Sequence, residues 1–266
     1  MQVFHFAETK AMVPVTRELA SLRYSLEDLA GSTAKGVEQE KETAIGKRGR
    51  LSARRLNQLV PSAVLHCQKA SKDLLELVLT FERRVRVPES FVRERRYQTV
   101  TFTQSADIFW RPETGFCFIT DVPGRTLKAA TWMLSAAVLG YPGRLSPVEL
   151  DTARMKRIVK FVTSPPQGGP GELMRAVFRE VQLGRGQLDE VNIRARELHN
   201  HPLYRDVEKG AGELHAIGFM TPLIKGIDRS LACRVDAQGQ ALVYAPRLRP
   251  DELRALLQFF ERMLSA

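Results

Sequence analysis

The sequence predicts an α+β protein of two antiparallel sheets, each covered by helices, with an additional helical segment at the N-terminus. Three observations predict it. Residues 214–220, 231–235 and 241–244 are three short apolar runs, and Asp236-Ala237-Gln238-Gly239 supplies the Asp and Gly of a tight hairpin between the last two. Pro250 then opens a segment in which Leu253, Leu256, Leu257, Phe260 and Leu264 return at three- and four-residue spacing. That is one apolar stripe, suited to one face of a sheet. The same order, strands and then a helix, occurs earlier. Residues 98–103, 107–111 and 115–120 alternate as strands, the last two joined across Pro112-Glu113-Thr114, and Thr126 caps an apolar helix ending near Leu139. Residues 108–119 laid beside 231–243 share the order and the hairpin glycine at low identity, which reads as a ββ-hairpin–helix duplication.

The remaining elements follow in chain order. Residues 2–6 read as a short strand. Residues 13–30 read as a helix, with Val15, Leu19, Leu22, Leu26 and Leu29 on one face and Gly31 as its stop. From 31 to 50 the apolar pattern fails, and an acidic centre at 38–42 precedes a basic end at 47–50, the composition of a mobile loop. Residues 52–84 give the longest helical pattern. Leu56, Leu59, Val60, Ala63, Val64, Cys67, Ala70, Leu74, Leu75, Val78 and Phe81 return near a 3.6-residue period, with Pro61 starting a second helix or kinking the first. Ser146-Pro147-Val148-Glu149 has the form of a helix start, and that helix runs to about Thr163. The Pro/Gly-rich residues 164–171 form a linker, which divides the chain into domains 1–163 and 172–266. In the second domain 174–181 and 191–196 alternate as strands, Gly184-Arg185-Gly186 is a hairpin turn, and 202–208 is a short helix or turn.

Composition narrows the partners more than the chemistry. Of 266 residues, 44% are hydrophobic and 26% charged, as in ordinary globular proteins. Against 30 Asp+Glu stand 40 Lys+Arg, a net charge of +10, which points to a polyanionic partner. Cys67, Cys117 and Cys233 are few, odd in number and far apart, so they read as buried free thiols of a cytoplasmic protein. The N-terminal residues include His5, Glu8 and Lys10 and lack a leader-like apolar run, and the longest uncharged stretch, 129–143, is too short to span a bilayer. No membrane partner is expected.

No nucleophile elbow, phosphate-binding glycine loop or HExxH pair occurs. His199 and His201, with His215 and the upstream Asp189, Glu190 and Glu197, match no zinc-ligand spacing and read as a polar turn, so neither a metal nor a cofactor is expected. Phe109, Trp110, Phe116 and Phe118 could stack on bases, but alternation on both faces of their hairpin makes them core. What remains is basic. One cluster is Lys47, Arg48, Arg50, Arg54 and Arg55; a second is Arg83, Arg84, Arg86, Arg93, Arg95 and Arg96; a third is Arg154, Lys156, Arg157 and Lys160 on one helix; Arg247 and Arg249 make a fourth. Guanidinium forks suit phosphate oxygens, and clustered cations gain from counterion release. The sequence therefore predicts a non-enzymatic nucleic-acid-binding protein, with DNA favoured over RNA. The alternative is an interaction or scaffold subunit that pairs, as a homodimer or with another protein, through the 52–84 helix. A third reading is a metal-dependent nuclease using Asp107, Asp121, Glu180 or Glu190, although no paired lysine accompanies them.

Overall fold

A computed structural model describes residues 2–10, 21–25, 28, 62–88, 97–122, 124–140, 143–166, 169–183, 186–209, 212–245 and 248–266. In chain order the elements are β1 (Gln2–Glu8), β2 (Arg23–Ser25), β3 (Ala63–Ala70), β4 (Leu75–Pro88), β5 (Tyr97–Trp110), β6 (Phe116–Thr120), α1 (Gly124–Leu139), β7 (Ser146–Pro147) and α2 (Thr152–Thr163). They continue with β8 (Glu172–Leu183), β9 (Gly186–Arg194), a single 3-10 turn (Leu198–Asn200), α3 (Pro202–Lys209), β10 (Glu213–Met220), β11 (Ala232–Asp236), β12 (Gln240–Val243) and α4 (Pro250–Ser265).

The expected pair of helix-covered sheets is wrong. All twelve strands among the described residues belong to one antiparallel sheet in the order β2-β3-β4-β5-β6-β1-β12-β11-β10-β8-β9, with β7 paired to β1, and the protein is predominantly β. The strand that makes it one sheet is β1. Gln2 to His5 pair with Val243 to Gln240, while Ala7 and Glu8 pair with Pro147 and Ser146. A local apolar pattern identifies such a strand but not partners more than a hundred residues away.

The 52–84 helix is also overturned wherever its residues are described. Residues 63–70 and 75–88 are strands, so the helical dimer seam is withdrawn with it. The apolar residues here satisfy a two-residue period better. Leu65, Leu77 and Leu79, which fell off the helical stripe, are almost wholly buried. Ser71-Lys72-Asp73 makes the turn, in which the Ser71 N–H and hydroxyl both donate to the Leu74 carbonyl. β-branched Val64, Val78 and Thr80 further favour the extended chain. Within the predicted 13–30 helix, residues 23–25 are likewise a strand, paired with β3. The rest of that segment apart from residues 21–25 and 28, the 31–50 loop and residues 52–61 lie outside the described residues.

A third correction concerns α2. Ser146-Pro147 is a strand, and Val148 and Leu150 stay extended, donating their N–H groups to Phe6 and Ala237 carbonyls. The helix starts four residues on, where the Asp151 carboxylate accepts the Arg154 N–H at 2.7 Å as N-cap.

The chain divides into two compact units, Ala7–Pro147 and Met1–Phe6 with Val148–Ala266. In the first, one sheet face (Leu65, Leu77, Leu79, Phe81, Ile108, Ile119) joins α1 residues such as Ala130, Met133 and Leu134 in a single core. In the second, Phe260 of α4 lies 5.9 Å from Phe4 and 5.3 Å from Phe6 between ring centroids, and Phe161 of α2 lies 5.7 Å from Phe259. Each unit closes a hairpin on a glycine in the left-handed region. A Cβ would stand 2.1 Å from the Thr9 carbonyl oxygen at Gly115 (φ +76) and 2.2 Å from the Val148 oxygen at Gly239 (φ +69).

Candidate nucleic-acid interface

In the Ala7–Pro147 unit, β4 and β5 pair without interruption over fourteen residues each, from Leu75↔Trp110 to Pro88↔Tyr97. The inner half of this ribbon is core. The outer half is not: residues 101–105 of β5 are consecutively exposed among the described residues, Phe102 at 47%. Opposite them stand the arginines. Arg83 pairs with Phe102, Arg84 with Thr101 and Arg86 with Thr99. Arg84 is exposed. From Tyr97 to Ala106, β5 carries no charge, only Gln, Thr and Ser hydroxyl and amide groups besides its apolar residues. The ribbon thus sets guanidinium-bearing positions on one strand against neutral hydrogen-bonding side chains on the other.

The other predicted cations separate from these. Lys47, Arg48, Arg50, Arg54, Arg55, Arg93, Arg95 and Arg96 lie outside the described residues. Arg154, Lys156, Arg157 and Lys160 are on α2, in the Met1–Phe6 and Val148–Ala266 unit. Two of these are already engaged. An Arg154 terminal nitrogen donates to the Glu149 carbonyl at 3.4 Å, and Lys156 Nζ donates to the Glu208 carbonyl at 3.4 Å. Only Arg157 and Lys160 stand exposed, one turn apart.

The same unit contains a cationic row that the sequence reading missed. The cross-strand row Ile193, Ala176, Ile217, Val235, Ala241, Phe4 is buried, and it faces α4 through Phe4. The next row points to the opposite face of the sheet: Arg194, Arg175, Gly218, Arg234, Leu242, Val3. Three arginines and a glycine therefore lie across four strands. Burial first, and then the neighbouring Arg194 and Arg234 charges, press the Arg175 guanidinium below its usual pKa, with Tyr244 and Glu190 opposing. In the sequence each of these arginines was visible only as an outward position in an apolar strand, as in Cys233-Arg234-Val235. The pairing register alone aligns them.

The catalytic readings find less support. Asp107 and Asp121 belong to one unit, Glu180 and Glu190 to the other. No group of three His, Cys, Asp or Glu side chains able to hold a metal ion occurs among the described residues. His199 lies in a depression of about 840 Å³ with Glu172, Arg196 and Glu197, and the Glu172 carboxylate there accepts the Glu197 N–H at 3.3 Å. Cys117 and Cys233 are buried, and burial pushes the Cys233 thiol up to about 12 and raises the Cys117 thiol as well, which suppresses the nucleophilic thiolate. Phe116, Trp110 and Phe118 are buried and unavailable for base stacking. No protein-family model matches the chain, and comparison with curated proteins finds no significant match.

Proposed function

We propose that this is a non-enzymatic nucleic-acid-binding protein that engages DNA chiefly through phosphate contacts. The observation that carries this reading is the outer β4–β5 ribbon, exposed along residues 101–105, with Arg83, Arg84 and Arg86 along one strand. The major groove of B-DNA admits a two-stranded ribbon, whereas the major groove of an A-form RNA duplex is too deep and narrow for side chains to read. Arginine on such a ribbon pairs with phosphate, and the Thr and Gln groups of β5 add neutral hydrogen bonds that fix register. A net charge of +10 supplies the long-range attraction. Three free cysteines suit a reducing compartment, and we place the protein in the cytoplasm. No described helix is long and apolar enough to cross a membrane.

Fluorescence anisotropy of a labelled duplex about 20 base pairs long, titrated at several salt concentrations, tests the reading. Binding should weaken steeply with salt. Arg84→Glu should lower affinity about tenfold on any sequence and reduce the salt slope by about one. Equal affinity and slope in the variant would remove the ribbon from the interface; no wild-type binding at low salt would remove the function.

A further inference from the structure

We propose that Arg175, Arg194 and Arg234 form a phosphate-binding site on the sheet face opposite α4. The inference is independent of the ribbon. Like charges set directly opposite across strands destabilise a sheet. Here Arg194 and Arg175 are direct partners, and Arg175 and Arg234 flank Gly218 on its two sides. Among the described residues none of the three has an acidic side chain as ion-pair partner.

The nearby carboxylates make no ion pair with them among the described residues, and only Glu190 acts on the Arg175 charge, from a distance. Asp236 accepts the Gln238 and Gln240 N–H groups at 3.0 and 3.1 Å, and Glu172 accepts the Glu197 N–H. Glu190 sits further along β9, at the register position opposite Arg179.

The local geometry holds the cations in place. A Cβ built on Gly218 would meet Arg175 Cβ at 3.1 Å and Cδ at 3.9 Å, so the Arg175 stem lies over the glycine. Its Nε donates to Asn192 Oδ1 at 3.1 Å, which fixes the fork and leaves both terminal nitrogens without protein acceptors among the described residues. Arg234 Nε is buried and has no hydrogen-bond partner among the described residues. A buried guanidinium N–H left unsatisfied is costly, and an anion held by the terminal nitrogens of the same fork would offset that cost electrostatically. Neighbouring strands lie about 4.8 Å apart, so the Arg194 and Arg234 backbones stand roughly 14 Å apart with Arg175 between them. Arginine side chains can converge across that span on one tetrahedral anion, and their planar forks match its oxygens. Tyr244, exposed and close enough to influence the Arg175 charge, provides a neutral rim.

The phosphate could be free, as inorganic phosphate or a phosphomonoester, or part of a nucleic-acid backbone. One experiment separates these sources. Thermal unfolding of the full chain is followed in sodium phosphate and in sodium chloride at matched ionic strength and pH. In parallel, labelled single-stranded and duplex oligonucleotides are titrated against wild type, Arg234→Gln and Arg194→Gln; the second variant is exposed and leaves the core untouched. A free-phosphate site predicts a wild-type Tm that climbs with phosphate but not with chloride, and loss of that climb in both variants. A backbone site predicts no climb but a severalfold loss of oligonucleotide affinity in both variants. In either case Arg194→Gln without phosphate at low salt should melt at or slightly above the wild-type temperature, because it relieves repulsion. The proposal is overturned if phosphate does not shift wild-type Tm and neither variant changes oligonucleotide binding. It is equally overturned if Arg194→Gln melts several degrees lower in both media, which would make the row structural. Loss of the Arg84 effect with an intact phosphate response would sink the ribbon and leave this site standing.

Discussion

Two groups of arginines in the Met1–Phe6 and Val148–Ala266 unit are built in opposite ways. Arg229 and Arg249 surround a carboxylate. Arg229 meets Glu252 at 2.9 Å, Arg249 reaches it at 3.5 Å, and the Arg249 backbone N–H donates to its other oxygen at 2.8 Å, all at the start of α4. The Glu252 side chain is only 2% exposed, so its charge is answered from inside the chain. Arg175, Arg194 and Arg234 face one another with no acid between them. The first group holds a helix end to its sheet. The second carries net positive charge on a sheet face and is relieved by something outside the chain. The difference teaches that a count of arginines says little about binding; what matters is whether the fold has already supplied the anion.

Breaking the paired group should have the largest effect. Glu252→Gln leaves two guanidinium groups facing a neutral amide and should lower Tm by roughly 3–6 °C, read by circular dichroism. The effect is pH-dependent with a definite sign. The Arg249 N–H holds the Glu252 carboxyl below its ordinary range, against the upward push of burial and with help from Arg229. A lowered folded-state value means the stabilisation is complete above the unfolded carboxylate pKa and disappears as pH falls through the folded one. The Tm gap between wild type and variant should therefore be constant from neutral pH down to about 5 and narrow below it. A gap that widened in acid would refute the pairing.

A sharper test converts one kind of group into the other. Leu242 stands directly opposite Arg234, so Leu242→Glu supplies the missing acid in place. Tm without phosphate should rise by about 1–3 °C, as a cross-strand ion pair replaces repulsion, and any phosphate response should disappear. If Leu242→Glu is destabilising yet still responds to phosphate, the row is not short of an anion. The smallest effect is expected on α2. Arg157→Gln removes an exposed helix cation and should change stability by less than about 0.5 kcal/mol and DNA affinity by less than about twofold. A tenfold loss would restore α2 to the interface.

How far the sequence was legible depended on how local each pattern was. The stripe of Leu256, Leu257, Phe260 and Leu264 and the Asp236–Gly239 turn read correctly because neighbours three to four residues apart decide them. Residues 63–84 misled because Val64, Cys67, Leu74, Leu75, Val78 and Phe81 happen to match a helical period, while the deeply buried Leu75, Leu77, Leu79 and Phe81 alternate. Ser146-Pro147-Val148-Glu149 has the local form of a helix start, but pairing to β1 draws Ser146 and Pro147 into a strand and the helix is capped by Asp151 instead. Of the basic clusters, Arg83, Arg84 and Arg86 lie within four consecutive residues and were legible as part of the second cluster. Arg175, Arg194 and Arg234 are brought together only by the register of β8 through β11, which no single stretch encodes.

The pairing of β1 with β12 also sets an order of events during synthesis. Gln2 to His5 are made more than two hundred residues before Val243 to Gln240, the β12 residues with which they pair. At roughly 5–20 residues per second the edge of β1 that takes β12 waits on the order of ten seconds to a minute for it. During that interval Phe4 and Phe6 also lack Phe260, the ring that covers them in the finished protein. The nascent chain thus carries one apolar strand edge without its β12 partner until late in translation, a natural holding point for a chaperone and an aggregation-prone segment if none arrives.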